Sequence, residues 1–96
     1  MQKKLRLEVL ERDDNACQLC EQYTYEPPHH IIHGAGKKVN ELYNIITLCG
    51  RCHWKTHSSN VPGEAEKYKQ KCIQWSVKMY GDKIIKLAKF KGRRIS

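Results

Sequence analysis

Nowhere does this chain of 96 residues carry an apolar run long enough for a signal peptide or a membrane span. Internal repeats and long low-complexity segments are missing too, which excludes repeat architectures. Acidic residues are outnumbered, 10 against 18 lysines and arginines, so the formal charge is +8 and the pI near 9.4. Such a surplus suits a polyanionic partner better than an acidic small molecule. Charge alone licenses only non-specific attraction to nucleic acid or an anionic membrane. Membrane binding has no further support, since the helical stretches carry apolar residues in number fit for a core. The length is that of one domain, residues 1–96, with a core thin enough that small folds often recruit a metal or a disulfide.

With no apolar run near Met1 that reads as a leader, a reducing, cytoplasmic setting is the expectation, and there C-x-x-C pairs among the five cysteines read as zinc ligands and not as disulfides. There are two such pairs, Cys17-Gln-Leu-Cys20 and Cys49-Gly-Arg-Cys52. A thioredoxin-type redox motif would need a strand before it and a helix after it, and the flanks of Cys17 and Cys20 fit neither. Cys17, Cys20, Cys49 and Cys52 together supply four soft ligands, enough to close a tetrahedral structural Zn²⁺ site; partial or mixed ligation is the alternative. Cys72 reads as a buried free thiol.

Local patterns predict an α+β domain. Leu5, Val9 and Leu10 recur at helical spacing over residues 2–12, and Asp13, Asp14 and Asn15 end that helix. Residues 21–28 are extended, with Tyr23 and Tyr25 on one face and two prolines that preclude helix. His29-His30-Ile31-Ile32 reads as a short strand, and a loop over residues 33–42 returns the chain to a second strand, Ile45 to Leu48. The second knuckle then leads into a helix through His57, giving a ββα unit. After the Pro62-Gly63 break, Ala65, Tyr68, Cys72, Trp75 and Met79 mark one face of a helix to about Tyr80. Gly81-Asp82 restarts the chain as a last helix, Lys83 to Phe90. Trp54, Tyr68, Trp75 and Phe90 read as core or helix-packing residues, and residues 91–96 form a basic tail too polar to pack.

A closed four-cysteine site cannot activate water, so any chemistry must come from the histidines that lie between and beyond the knuckles. His53 and His57, four apart, share one helix face. With His29 they could bind a divalent cation and leave positions for water and phosphate oxygens. His30 would then be free to act as a base, since neutral imidazole with a pKa near 6.5 accepts a proton at neutral pH. In a strand His29 and His30 point to opposite faces, so they share a site only if the pleat is distorted or the ligand sits at the strand's edge.

Read together, the first Cys pair, His29-His30, Asn44 and the run Leu48-Cys49-Gly50-Arg51-Cys52-His53 resemble the HNH endonucleases and their ββα-metal finger. The resemblance covers about residues 4–57, and the helices over 64–90 look like the extension of small phage-type members, whose setting would be the host cell. It implies a metal-dependent DNA endonuclease that hydrolyses phosphodiester bonds. By position, His29 and His53 would be ligands of the catalytic cation, His30 the general base, and Asn44 the residue that ties the loop together and orients the base. His57 is matched in some members as a further ligand. His33 stands where many relatives have a basic residue, and would contact phosphate or be a solvated loop histidine. Where the family often has Asp, this chain has His29, which makes the site less anionic; Mn²⁺, Ni²⁺, Co²⁺ or Zn²⁺ would then serve as well as Mg²⁺, which prefers oxygen ligands. DNA contacts are expected from His33, Lys37, Lys38, Arg51, Arg93 and Arg94. So short a chain has little surface for reading many base pairs, which leaves room for a homodimer or a larger protein partner. Two rival readings are a non-catalytic zinc-stabilised nucleic-acid-binding module and a protein-binding zinc module. Neither has a use for His30 beside a vacant metal position.

Overall fold

The structure, a computed structural model, describes residues 2–33, 39–57 and 59–90. It is a small α+β fold: α1 (Lys3–Asp13), β1 (His29–His30), a 3₁₀ turn (Leu42–Asn44), β2 (Ile45–Ile46), α2 (Gly50–His57), α3 (Glu64–Tyr80) and α4 (Lys83–Phe90). No helix among the described residues is long and apolar enough to cross a membrane.

The end of α1 follows from its residue types. Asp14 and Asn15 take left-handed backbone angles, φ 55° and 53°, which short polar side chains tolerate better than others. Their amides turn back to Glu11 O at 3.3 Å and Leu10 O at 3.1 Å, closing the helix. The last turn of α1 is also its anchor. Arg12 sends one arm to Leu42 O (2.7 Å) and Tyr80 Oη (3.1 Å) and the other to Ile45 O (2.6 Å), while its plane lies 4.7 Å from the Trp75 ring centre. Asp13 holds the guanidinium at 2.7 Å and accepts the Thr47 amide at 3.1 Å. One buried ion pair thus ties α1 to β2, the 3₁₀ turn and α3.

The first knuckle follows at once. Cys17 N donates to Gln22 O at 2.7 Å and Glu21 N to Cys17 O at 2.8 Å, and an Ala16–Tyr23 bridge shuts the loop at its base.

β1 and β2 pair antiparallel, His29 with Ile46 and His30 with Ile45. Both are shorter than the four-residue strands expected, because side chains and backbone outside the two strands take over the bonds of the ladder. Beyond His30, the Ile31 amide reaches Asn44 O at 2.8 Å and the Ile32 amide bonds the Asn44 side chain at 2.8 Å. Beyond Ile46, Thr47 gives its amide to Asp13 and its carbonyl to Gln18 N at 3.0 Å. The strands stop where better partners begin.

The core packs Ile31, Ile32, Ile46 and Leu48 against the knuckle cysteines, with Cys72 and Ile73 of α3 and Ile84, Leu87 and Ala88 of α4 on the other side. Ser76 Oγ on α3 donates to Tyr43 O and fastens this helix to the turn that precedes β2. On the predicted face of α3, Cys72 is buried and Tyr68 and Trp75 pack at the rim of the core, but Met79 is half exposed, and Ile73 and Ser76, outside that face, are buried as well. Trp54 and Phe90 do not pack as expected; they are 49% and 84% exposed, at the outer face of α2 and the end of α4.

Candidate functional site

The two C-x-x-C knuckles meet. Sγ atoms of Cys17, Cys20, Cys49 and Cys52 all lie within 4.8 Å of one another, and those of Cys20 and Cys49 are 3.6 Å apart. A tetrahedral zinc with bonds of about 2.3 Å needs sulfurs about 3.8 Å apart, so the four residues fit the ion. The Cys52 amide points at Cys49 Sγ across 3.5 Å, as expected of a knuckle that shields bound sulfur. All five cysteines are free thiols, with Cys17, Cys49, Cys52 and Cys72 buried.

Their electrostatics favour a cation. Burial pushes the Cys52 thiol up, and hydrogen bonds with Cys17 and Cys49 add to the rise. Cys20 is raised by burial as well. At Cys17 burial acts in the same direction, but the amides of Cys49, Cys20 and Leu19 outweigh it and bring the thiol down to about 7. Thiolates at Cys20 and Cys52 are thus disfavoured unless a metal ion lies between the sulfurs. The four cysteines are arranged to bind a metal ion, and zinc is the ion that best suits four thiolates.

A second cluster stands apart from it. His29 on β1 and His53 and His57 on α2 bring ring nitrogens within 4.8 Å of one another. His29 and His53 stack with centroids 4.3 Å apart, and His57 approaches His53 at 5.0 Å and His29 at 5.9 Å. The i, i+4 spacing on α2 and the pairing of β1 with β2 produce this convergence. Both His29 nitrogens are buried without a hydrogen-bond partner. An orphaned buried imidazole is costly in an apo fold, and a cation bound at one nitrogen relieves that cost. Burial, then the neighbouring His53, His57, His33 and His30, push the His29 pKa down to about 3, and burial, His53 and Lys69 lower that of His57. Neutral imidazole is the metal-binding form. The three histidines fit a divalent cation.

His30 lies beside this trio, 6% exposed, and both it and His29 line one narrow crevice despite being neighbours on a strand. Its Nε2 is 2.7 Å from Asn40 Oδ1. A carbonyl oxygen only accepts, so the imidazole donates from Nε2, and in the neutral ring the lone pair is then on Nδ1. Asn44 was expected to tie the loop together and to orient the base, and its hydrogen bonds go to the loop. Its Oδ1 accepts the Ile32 amide and its Nδ2 donates to Ile32 O (3.3 Å) and Val39 O (3.1 Å), closing both ends of the intervening loop. Asn44 ties the loop; Asn40 meets His30.

His33 sits at the rim, its ring 5.9 Å from His57 and 6.3 Å from His30. Arg51 is elsewhere: it is exposed on α2 and lines a groove with Tyr23, Tyr25 and Glu26 on the knuckle side. Lys37, Lys38, Arg93 and Arg94 lie outside the described residues. Three residues of the crevice were missed in the sequence: Thr56, whose Oγ donates to His53 O at 2.6 Å, and Lys69 and Cys72 of α3. Lys69 is one turn from Cys72, and the helical period that marked Cys72 as inward would have placed Lys69 near it. Asn40 had no such signal. No protein-family model, curated protein or solved structure matches the chain. Its function is therefore argued from these side chains.

Proposed function

We propose that the chain is a metal-dependent DNA endonuclease of the HNH type, in which a ββα-metal finger hydrolyses phosphodiester bonds. The observation that carries this reading is the convergence of His29, His53 and His57 within 4.8 Å, with His30 lining one crevice together with His29 and His57. A structural zinc module needs the four cysteines and no more. Three converging imidazoles, with a fourth hydrogen-bonded through Nε2, have a use in hydrolysis.

The roles divide by geometry. His29, His53 and His57 would hold the divalent cation, Mn²⁺, Ni²⁺, Co²⁺, Zn²⁺ or Mg²⁺, which when bound supplies stabilisation of the charge that develops on phosphate and the leaving 3′ oxygen. His30 accepts at Nδ1 the proton of the attacking water as the new oxygen–phosphorus bond forms and the bond to the 3′ oxygen breaks. Asn40 keeps the other nitrogen protonated and the ring in place. Asn44 holds the loop between the strands, and with it the position of Asn40. The charge of +8 gives the backbone of DNA its attraction to the surface.

Plasmid nicking by the pure protein tests the proposal, with the cation withheld by EDTA and then restored as Mg²⁺, Mn²⁺ or Ni²⁺. Cleavage that depends on the added cation and disappears in His30→Ala is expected. A protein that binds DNA and cuts it with none of these metals is the non-catalytic zinc module instead.

A further inference from the structure

α3 reaches the histidine crevice with Lys69 and Cys72, although the whole ββα segment lies before it in the chain. The charges there do not balance. Neutral imidazoles contribute no charge, so a divalent cation held by His29, His53 and His57 keeps both of its positive charges, and Lys69 adds another. Among the described residues no aspartate or glutamate lines the crevice. Among the described residues the ion pairs are Arg12–Asp13 and Lys86–Asp82, and Lys69 is in neither. Its neighbours are occupied in another way: the ammonium groups of Lys55 and Lys71 lie over the Tyr68 ring, at 5.2 and 4.7 Å from its centre.

We infer that Lys69 is a phosphate-binding residue: together with the histidine trio it forms an anion site that takes an oxygen of the substrate's phosphodiester, an inference that rests on the nuclease reading above. The crevice is too narrow for a nucleotide and has room for an atom the size of a water oxygen. A phosphate group at its mouth can set one oxygen toward the trio and another against Lys69. Lysine suits the task as a compact point charge with three donors that reorient freely. The helical extension thereby belongs to the active site, and α3 supplies the positive charge that a neutral ligand set leaves uncompensated by any carboxylate.

Inorganic phosphate is the probe. It is titrated by calorimetry into protein that holds its structural zinc and one equivalent of Mn²⁺, against a chloride control of equal ionic strength. Lys69→Gln should weaken phosphate binding by about 10-fold to 100-fold, the loss typical of a hydrogen bond to a charged group. Lys69→Arg should restore most of it, and the Mn²⁺ affinity and circular dichroism of both variants should match the wild type. If Lys69→Gln does not fold, Lys69→Met, which keeps the apolar stem, replaces it. A second arm uses a short duplex with phosphorothioate linkages at the same ionic strength: phosphate should displace it from the wild type, which identifies backbone phosphate as the occupant. Phosphate binding that is unchanged in Lys69→Gln, or that is as strong without Mn²⁺ as with it, overturns the inference. Phosphate binding that behaves as expected in a protein that leaves plasmids intact sinks the nuclease reading and leaves the anion site standing.

Discussion

The imidazole of His30 donates from Nε2 to Asn40 Oδ1 across 2.7 Å, although Asn40 is exposed and His30 is buried. This bond selects the tautomer of the neutral ring, whose lone pair then belongs to Nδ1, the atom proposed to act as base. Asn40→Ala should therefore lower kcat for nicking by about 10-fold to 100-fold, as outer partners of an active imidazole commonly do. KM for DNA and the apparent Mn²⁺ affinity should stay unchanged, because Asn40 touches neither. A variant with wild-type kcat would show that the ring is held by something else.

Arg12 and Asp13 offer a prediction independent of function. Their side chains are 13% and 0% exposed, and the guanidinium bonds two backbone carbonyls on the far side of the fold. Arg12→Met would strand the Asp13 carboxylate in the core and should cost about 3 to 5 kcal/mol in urea unfolding. The double variant Arg12→Met/Asp13→Asn keeps an acceptor for Thr47 N without a buried charge, and should recover part of the loss. Equal destabilisation of the single and double variants would mean that lost packing, and not the stranded charge, is the cause.

Much of this fold was legible because cysteine and histidine spacing is rigid in its consequences. Two C-x-x-C pairs bring four sulfurs together whatever joins them, and His53 and His57 share a face wherever a helix forms. The helix ends at Asp14, Gly63 and Gly81 were readable for similar local reasons. What could not be read depends on contacts across the chain. Strand length was set by Asn44 and Asp13 reaching into the ladder from outside it, and no period in the strands reveals that. Phe90 was expected to pack, but its neighbours Leu87 and Ala88 fill the inward face of α4 and leave it exposed. Asn40 and Lys69 reach the site from a loop and a later helix, so only the tertiary fold shows them as neighbours of His30 and His57.

The knuckles should bind about one zinc per chain, and Cys17→Ser or Cys49→Ser should unfold the protein. Structural zinc contributes roughly 10 kcal/mol or more of folding free energy in small domains. In this chain Cys17, Cys49 and Cys52 are also part of the apolar core, so loss of the ion disrupts the contact with α3 and α4. Metal analysis and circular dichroism check it: a zinc-free protein with an unchanged spectrum would rule out the structural role.

His29 makes the fold acid-sensitive. Its pKa falls from 6.5 to about 3 on folding, chiefly through burial and then through the histidines around it. Below pH 6.5 the unfolded chain takes up a proton there that the folded chain refuses until about pH 3, so the unfolded state binds more protons and stability drops as the pH falls through that window. One such group gives a slope of at most about 1.4 kcal/mol per pH unit. Urea midpoints, taken where the structural zinc stays bound and the histidine site holds no cation, should show the slope in the wild type and a flatter one in His29→Phe. Parallel slopes would mean that His29 is not kept neutral by its surroundings.

The last prediction separates the ligand from the base. His53 contributes a nitrogen to the trio, so His53→Ala should weaken the second cation, and raising the metal concentration should restore much of the rate. His30 is no member of the trio, so His30→Ala should keep the wild-type metal affinity and DNA affinity and lose about 10² to 10⁴ in kcat, the usual loss on removing a general base. Added metal should not rescue it, because occupancy is not what it lacks. Metal titrations of nicking rate distinguish the two: a curve shifted along the concentration axis for His53→Ala, and a curve lowered at every concentration for His30→Ala. Should His30→Ala cut at the wild-type rate under saturating metal, the base is another residue, and His33 on the rim of the same crevice is the next to replace.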